Sequence, residues 1–202
     1  MYWSLHDNNI LCSFIGHSDM ITQIDLNPAD STFVSCARDQ TTRVWDYERK
    51  QCKIRINRSR ASCFDNTGMI LACLYFKDGG GNSSNNNGRS AVQQVHLFNT
   101  ENYEERPFSI FPIDDESQDW FAEVKQMKFS PDGQYILLGT TENIIVLIDS
   151  FEGKLKHKFT GNFNELGTGQ ILEAGFSPDS RYLVTGSEAA KQKIVVWNIE
   201  TG

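Results

Sequence analysis

Polar and apolar positions alternate in short runs along most of this 202-residue chain, and turn-forming residues separate the runs. The most regular stretch is Gly16 to Asp46, GHSDMITQIDLNPADSTFVSCARDQTTRVWD. A Gly-His pair opens it, and Ile21, Ile24 and Leu26 mark a first alternating segment. A Pro-containing turn follows, and a second strand over Thr32 to Cys36 leads through Asp39 to Trp45-Asp46. A period of two puts successive side chains on opposite faces of an extended chain, so these segments are predicted to be half-buried strands. Gln51 to Ile56, with Ile54 and Ile56 on one face, completes a four-stranded unit.

The same order returns with erosion. From about Arg58 to Pro112 the chain offers Ser62 to Phe64, a turn at Asp65-Asn66-Thr67-Gly68, an apolar strand Met69 to Phe76, and Val92 to Phe98. Phe98-Asn99 stands there in the place of Trp45-Asp46. A third unit, from Trp120 to Phe159, has Val124 to Phe129, the turn Ser130-Pro131-Asp132-Gly133, Tyr135 to Gly139 and Ile144 to Asp149. A fourth has Leu172 to Phe176, Ser177-Pro178-Asp179-Ser180, Tyr182 to Gly186, and Ile194 to Trp197-Asn198. Each Ser-Pro-Asp group sets Pro and Asp where a tight turn between two strands uses them. Met1 to Phe14 reads as the end of a preceding unit, one strand closing near Trp3-Ser4 and the next running through Ile10, Leu11 and Phe14. The expected division is therefore 1–14, 15–57, 58–112, 113–160 and 161–202.

A Gly-His ahead of strands and a Trp-Asp closing them, at a period of about 40 to 45 residues, resembles the WD40 signature. The resemblance implies an all-β WD40 β-propeller of about four blades, an open part of a seven-bladed one. It also implies a hydrogen-bonded chain of His17, Ser35, Asp39 and Trp45, indole to hydroxyl to imidazole to carboxylate. Trp is a donor only, whereas neutral His both donates and accepts, so such a chain closes without an orphan. Ser, His and Asp within one repeat also invite comparison with a hydrolase triad. No G-x-S-x-G elbow surrounds Ser35, and the repeat already accounts for all three residues.

Composition narrows the function classes. A net charge of -7 and a pI near 5.1 argue against broad nucleic-acid binding, which needs a basic stripe to displace counterions. Cys12, Cys36, Cys52, Cys63 and Cys73 lie in strand-like segments without a C-x-x-C pair, and read as small buried hydrophobes in a reducing compartment rather than as metal ligands. No catalytic residue, metal or cofactor is expected. No signal-peptide pattern or long apolar run supports secretion or membrane spanning, so the sequons at Asn57 and Asn82 read as chance matches.

Insertions carry a further signal. Asp78 to Ser90, DGGGNSSNNNGRS, has nothing to bury and is expected to be a disordered loop. It lacks the Lys-Ser/Thr and following helix of a phosphate cradle. Glu101 to Glu123 holds eight acidic residues against the single Arg106, and reads as solvated loop or as a recruiting surface for a basic partner. Together with Pro112 to Trp120, Gly161 to Gly169 and Glu188 to Gln192, the extra length falls on one face of a propeller, whereas the turns at Asn27, Asp65, Ser130 and Ser177 on the other stay short. Insertions on one face commonly mark the binding face. Arg38, Arg58, Arg60, Trp120 and Lys191 fall in or beside these loops and are the candidate partner-binding residues.

Three stretches resemble one family more closely: Ser4 to Asn8, Val146 to Gly153, and Leu172 to Ser180. They are similar to the WD-repeat subunit of the COMPASS (Set-type) histone H3 lysine methyltransferase complex, also found with transcription-termination phosphatase machinery. That resemblance implies a nuclear scaffold without chemistry of its own. It would hold protein partners, the methyltransferase subunits and the phosphorylated polymerase tail, and bind neither membrane nor specific nucleic-acid sequence. A propeller adaptor of another nuclear pathway, a ubiquitin-ligase substrate receptor or an RNA 3'-end-processing scaffold, is the alternative. The family has two further N-terminal blades and a final one, and a shorter loop where Asp78 to Ser90 stands. The chain as given is accordingly expected to be an open array with two uncovered apolar sheet faces.

Overall fold

The computed structural model describes residues 2–77, 92–103, 106–113, 124–140, 144–160, 171–187 and 194–202. All regular structure among them is β. A hairpin of β1 (Tyr2–Ser4) and β2 (Asn9–Cys12) comes first. The next sheet runs β3 (Ile21–Leu26), β4 (Thr32–Ala37), β5 (Thr41–Asp46) and β6 (Gln51–Asn57), in that order from one edge to the other. It is followed by β7 (Ser59–Phe64), β8 (Ile70–Lys77), β9 (Val92–Asn99) and β10 (Ser109–Pro112), then by β11 (Val124–Phe129), β12 (Tyr135–Thr140), β13 (Ile144–Asp149) and β14 (Leu155–Thr160). The last sheet has β15 (Ile171–Phe176), β16 (Tyr182–Ser187) and β17 (Ile194–Asn198). Every pairing is between sequence neighbours and antiparallel.

Three apolar layers join these sheets in series, because each strand sends alternate residues to opposite neighbours. Val34, Val44 and Ile56 of the first blade pack on Phe64, Leu71, Cys73 and Phe98 of the second. Ala72, Leu74, Val95 and Leu97 of the second pack on Met127, Ile136, Leu138 and Ile148 of the third. Leu137, Ile145, Leu147 and Phe159 pack in turn on Ala174 and Leu183 of the fourth. Sheets stacked blade on blade through such layers, with faces at the two ends left open, are the architecture of an incomplete β-propeller.

The short turns are tied together on one side of this stack. Asn27 donates from Nδ2 to the carbonyl of Gly68 (3.3 Å), Asn66 to that of Ser130 (3.0 Å), and the Asp132 amide to Ser180 Oγ (3.0 Å). Gly68 must be glycine here, since its φ is +73° and a Cβ would collide with Asn27 Oδ1 and with Ala29.

Several expectations need correction. The segment 101–123 is not solvated loop throughout: Ser109–Pro112 pairs with β9 as the outer strand, and Phe111 is buried against the third blade. The sequence hides this strand because four residues cannot display a period. Cys36, Cys63 and Cys73 are buried, but Cys52 is exposed and Cys12 half-buried, both on outer strands with a face to solvent. β2 ends at Cys12, short of Phe14, whose ring instead packs edge-on against Phe33 (4.9 Å) and Trp45 (5.5 Å). The second blade's first strand begins at Ser59 rather than Ser62. The loop 78–90 lies outside the described residues.

Candidate functional site

In the first blade a polar chain threads from sheet to loop. β4 presents Ser35 and β5 presents Trp45, while His17 arrives from the segment before β3 and Asp39 from the β4–β5 turn. Trp45 Nε1 donates to Ser35 Oγ at 2.8 Å, and Ser35 Oγ lies 2.7 Å from His17 Nε2. The indole can only donate, so the hydroxyl proton points to Nε2, and Nδ1–H is left to donate to Asp39 Oδ2 at 3.0 Å. Asp39 also accepts from the Ser18 amide (3.0 Å), the Thr41 amide (3.0 Å) and Thr41 Oγ1 (2.7 Å). Ser18 and Thr41 were not singled out in the sequence, although Thr two residues after Asp is the spacing of such a turn.

Burial works to raise the Asp39 pKa, but hydrogen bonds from Ser18, Thr41 and His17 outweigh it and hold the carboxyl well below the usual carboxylate range. A carboxyl depressed on folding adds stability that is complete above its unfolded pKa, near 3.8, and is lost as pH falls towards the folded value. The stability gap between wild type and Asp39→Asn is therefore expected to be constant from pH 5 to 7 and to shrink below about pH 4. Chemical denaturation across that range is the measurement, and a gap that widens in acid would contradict it.

Ser35, His17 and Asp39 thus have the connectivity of a nucleophile triad, yet they cannot act as one. Ser35 is 2% exposed, and its oxygen already accepts from the Trp45 indole while its proton goes to His17, so the hydroxyl is engaged at both ends. The chain's product is rigidity. Gly16 fits the same purpose: a Cβ there would run into the Arg43 guanidinium, which itself lies over the Trp45 ring at 5.8 Å.

The other blades keep this chain only in part. Trp197 Nε1 donates to Thr185 Oγ1 at 3.2 Å, repeating the indole-to-hydroxyl step. At the matching register positions the second blade has Phe98 with Cys73, and the third has Ile148 with Leu138, so their centres are apolar. In the space between the first two blades, Thr42, Ser59 and Ser62 satisfy one another at 2.9 Å, with Cys36 and Cys73 alongside.

Of the candidate partner-binding residues, Arg38 and Arg58 are exposed and Arg60 is half-buried. The Ser59 amide donates to the Gln40 carbonyl at 3.2 Å, which ties the β4–β5 turn carrying Arg38 to the link carrying Arg58 and Arg60. Arg58 adopts φ +61°, as does Gln40, a left-handed geometry at each side of that junction. Trp120 and Lys191 lie outside the described residues. Among the described residues no group of His, Cys, Asp and Glu is arranged to hold a metal ion.

Sheets of this order, with the Gly-His, Ser, Asp and Trp set closed in one blade and half-kept in another, define a WD40-repeat β-propeller. The chain carries WD40 repeats: the family model described as WD domain, G-beta repeat, matches residues 8–46 and 153–198. Both matches end on the strands whose tryptophan keeps its hydroxyl acceptor. Over its whole length the chain is 32% identical to WD repeat-containing protein 82 of Drosophila melanogaster, covering 57% of that protein. Homologues also include the Set1 complex component swd2 of Schizosaccharomyces pombe, 28% identical over 91% of this chain and 49% of that protein. The COMPASS component SWD2 of Saccharomyces cerevisiae is 26% identical over 98% of this chain and 55% of that protein. The chain thus spans about half the length of the curated relatives it matches.

Proposed function

We propose that this chain serves as a non-catalytic WD40 scaffold in a histone H3 lysine-4 methyltransferase complex of the COMPASS kind, in the nucleus, linking that complex to transcribing RNA polymerase II. The observation that supports it most is the alignment of nearly the whole chain with the Set1 complex component and the COMPASS component. A Ser–His–Asp set whose serine is buried and hydrogen-bonded to an indole suits a scaffold. Affinity purification from nuclear extract followed by mass spectrometry tests the reading, with Set1-type methyltransferase subunits as the expected partners. Recovery of ubiquitin-ligase or RNA 3'-end-processing subunits in their place would favour the other adaptor roles.

The link to the polymerase is assigned to the junction of Arg38, Arg58 and Arg60, where guanidinium groups can grip a phosphate bidentately. Charge reversal of Arg58 and Arg60 together is expected to weaken binding of a phosphopeptide from the polymerase tail at least about tenfold, the equivalent of one charged hydrogen bond of roughly 1.4 kcal/mol. Unchanged affinity in fluorescence anisotropy would remove these residues from the site.

A further inference from the structure

The blades meet by one rule, which strand register makes visible. Each blade shows one neighbour a row of three large side chains across its first three strands, and shows the other neighbour a pair of aliphatic side chains from its middle two. Phe64, Leu71 and Phe98 are such a row, and Val34 and Val44 of the first blade are the pair packed on it. Ala72 and Leu97 pack in the same way on the row Phe129, Ile136 and Ile148. Leu137 and Leu147 pack on the row Phe176, Leu183 and Trp197. One row and one pair are then left over. Leu26, Phe33 and Trp45 are the row of the first blade, and Val184 and Val196 are the pair of the last. Leu26 is 66% exposed and Val196 61%, although the residues at their register positions in the interior of the stack are buried or half-buried.

We infer that the unmatched row and the unmatched pair are two halves of one interface, so that the last blade of one copy of this chain docks on the first blade of a second copy. Val184 and Val196 repeat Val34 and Val44 in residue type as well as in register, and Leu26, Phe33 and Trp45 offer aromatic and aliphatic surface of the kind those valines already cover. Phe14 covers the β5 end of the row by packing on Phe33 and Trp45, whereas the β3 end is open, with Ile24 and Leu26 lining a groove. The incoming sheet seats there, with β16 and its Val184 foremost. The contact is heterologous: unlike faces meet, and each added copy presents one further face of each kind. It is independent of what the insertion-rich side binds.

The test blocks one face at a time in the full chain and reads mass by size-exclusion chromatography with light scattering. Ile24→Lys with Leu26→Lys blocks the row, and Ile194→Lys with Val196→Lys blocks the pair; all four positions are exposed. Wild type is expected to associate in a concentration-dependent way, and each blocked variant alone to run at the mass of a single chain. Mixed in equal amounts, the two variants are expected to form a species of twice that mass and nothing larger, because one intact row meets one intact pair and both outer faces carry lysines. Circular dichroism checks the fold of each variant, and threonine at the same positions serves in place of any lysine pair that unfolds. A wild type that stays at single-chain mass overturns the inference. So does a blocked variant that self-associates as wild type does, since like faces would then be meeting, and so does a mixture that stays at single-chain mass.

Discussion

Replacing Trp45 with Phe is expected to lower the free energy of unfolding by about 1 to 3 kcal/mol, the range for leaving a buried partner unsatisfied. The smaller ring still stacks beside Phe14 and Phe33, but it leaves part of the indole's volume unfilled, so some of the loss is apolar. The rest is the lost donor to Ser35 Oγ at 2.8 Å. Ser35 is buried and its proton is committed to His17 Nε2, so its oxygen loses the one protein donor it has. Asp39→Ala is expected to cost a similar amount from the opposite end of the chain, by orphaning the Ser18 and Thr41 amides. The two losses should not add, because both act on one network. Urea unfolding of the two single variants and the double variant measures this, and full additivity would mean that the four residues do not work as a unit.

The second large effect concerns the open ends of the stack. On the first blade Ile24 and Leu26 are 59% and 66% exposed and line a groove of about 560 Å³ together with Tyr2, Phe14 and Trp45. On the last, Ile194 and Val196 are 76% and 61% exposed. Val184 and Val196 pair across β16 and β17 as Val34 and Val44 do across β4 and β5, and the latter pair is covered by the second blade. Each large aliphatic side chain left in water forgoes roughly 1.5 to 3 kcal/mol of burial. The 202-residue chain is therefore expected to bind a hydrophobic dye and to run as oligomers in size-exclusion chromatography. Changing Ile24, Leu26, Ile194 and Val196 to Thr should reduce both signals together. A monodisperse monomer that unfolds cooperatively and leaves the dye dark would show that these faces are not adhesive.

The unequal preservation of the polar chain explains why the repeat was easier to read at its two ends than in the middle. Where Trp45 and Trp197 meet Ser35 and Thr185, the hydrogen bonds demand particular residue types, and the sequence shows them. Where Phe98 and Ile148 stand instead, many apolar residues fill the same volume, and only the period of two remains as a signal.

The sequence by itself determined the strand order, the positions of the short turns and the identity of the residues in the first blade's polar chain. These are local matters, set by alternation, by Pro, Asp and Gly at turns, and by donors and acceptors that recur at fixed spacing. Tertiary structure alone decided that Ser109–Pro112 is a strand, because a four-residue edge forms only when β9 offers its free carbonyls and amides. It alone decided that Thr41 and Ser18 complete the partners of Asp39, that Cys52 faces solvent while Cys36 does not, and that Arg38 and Lys125, 87 positions apart in the chain, border one cavity. Those facts depend on which faces meet when the sheets stack, and hydrophobic period specifies that a strand has a buried face without naming the residues it will be buried against.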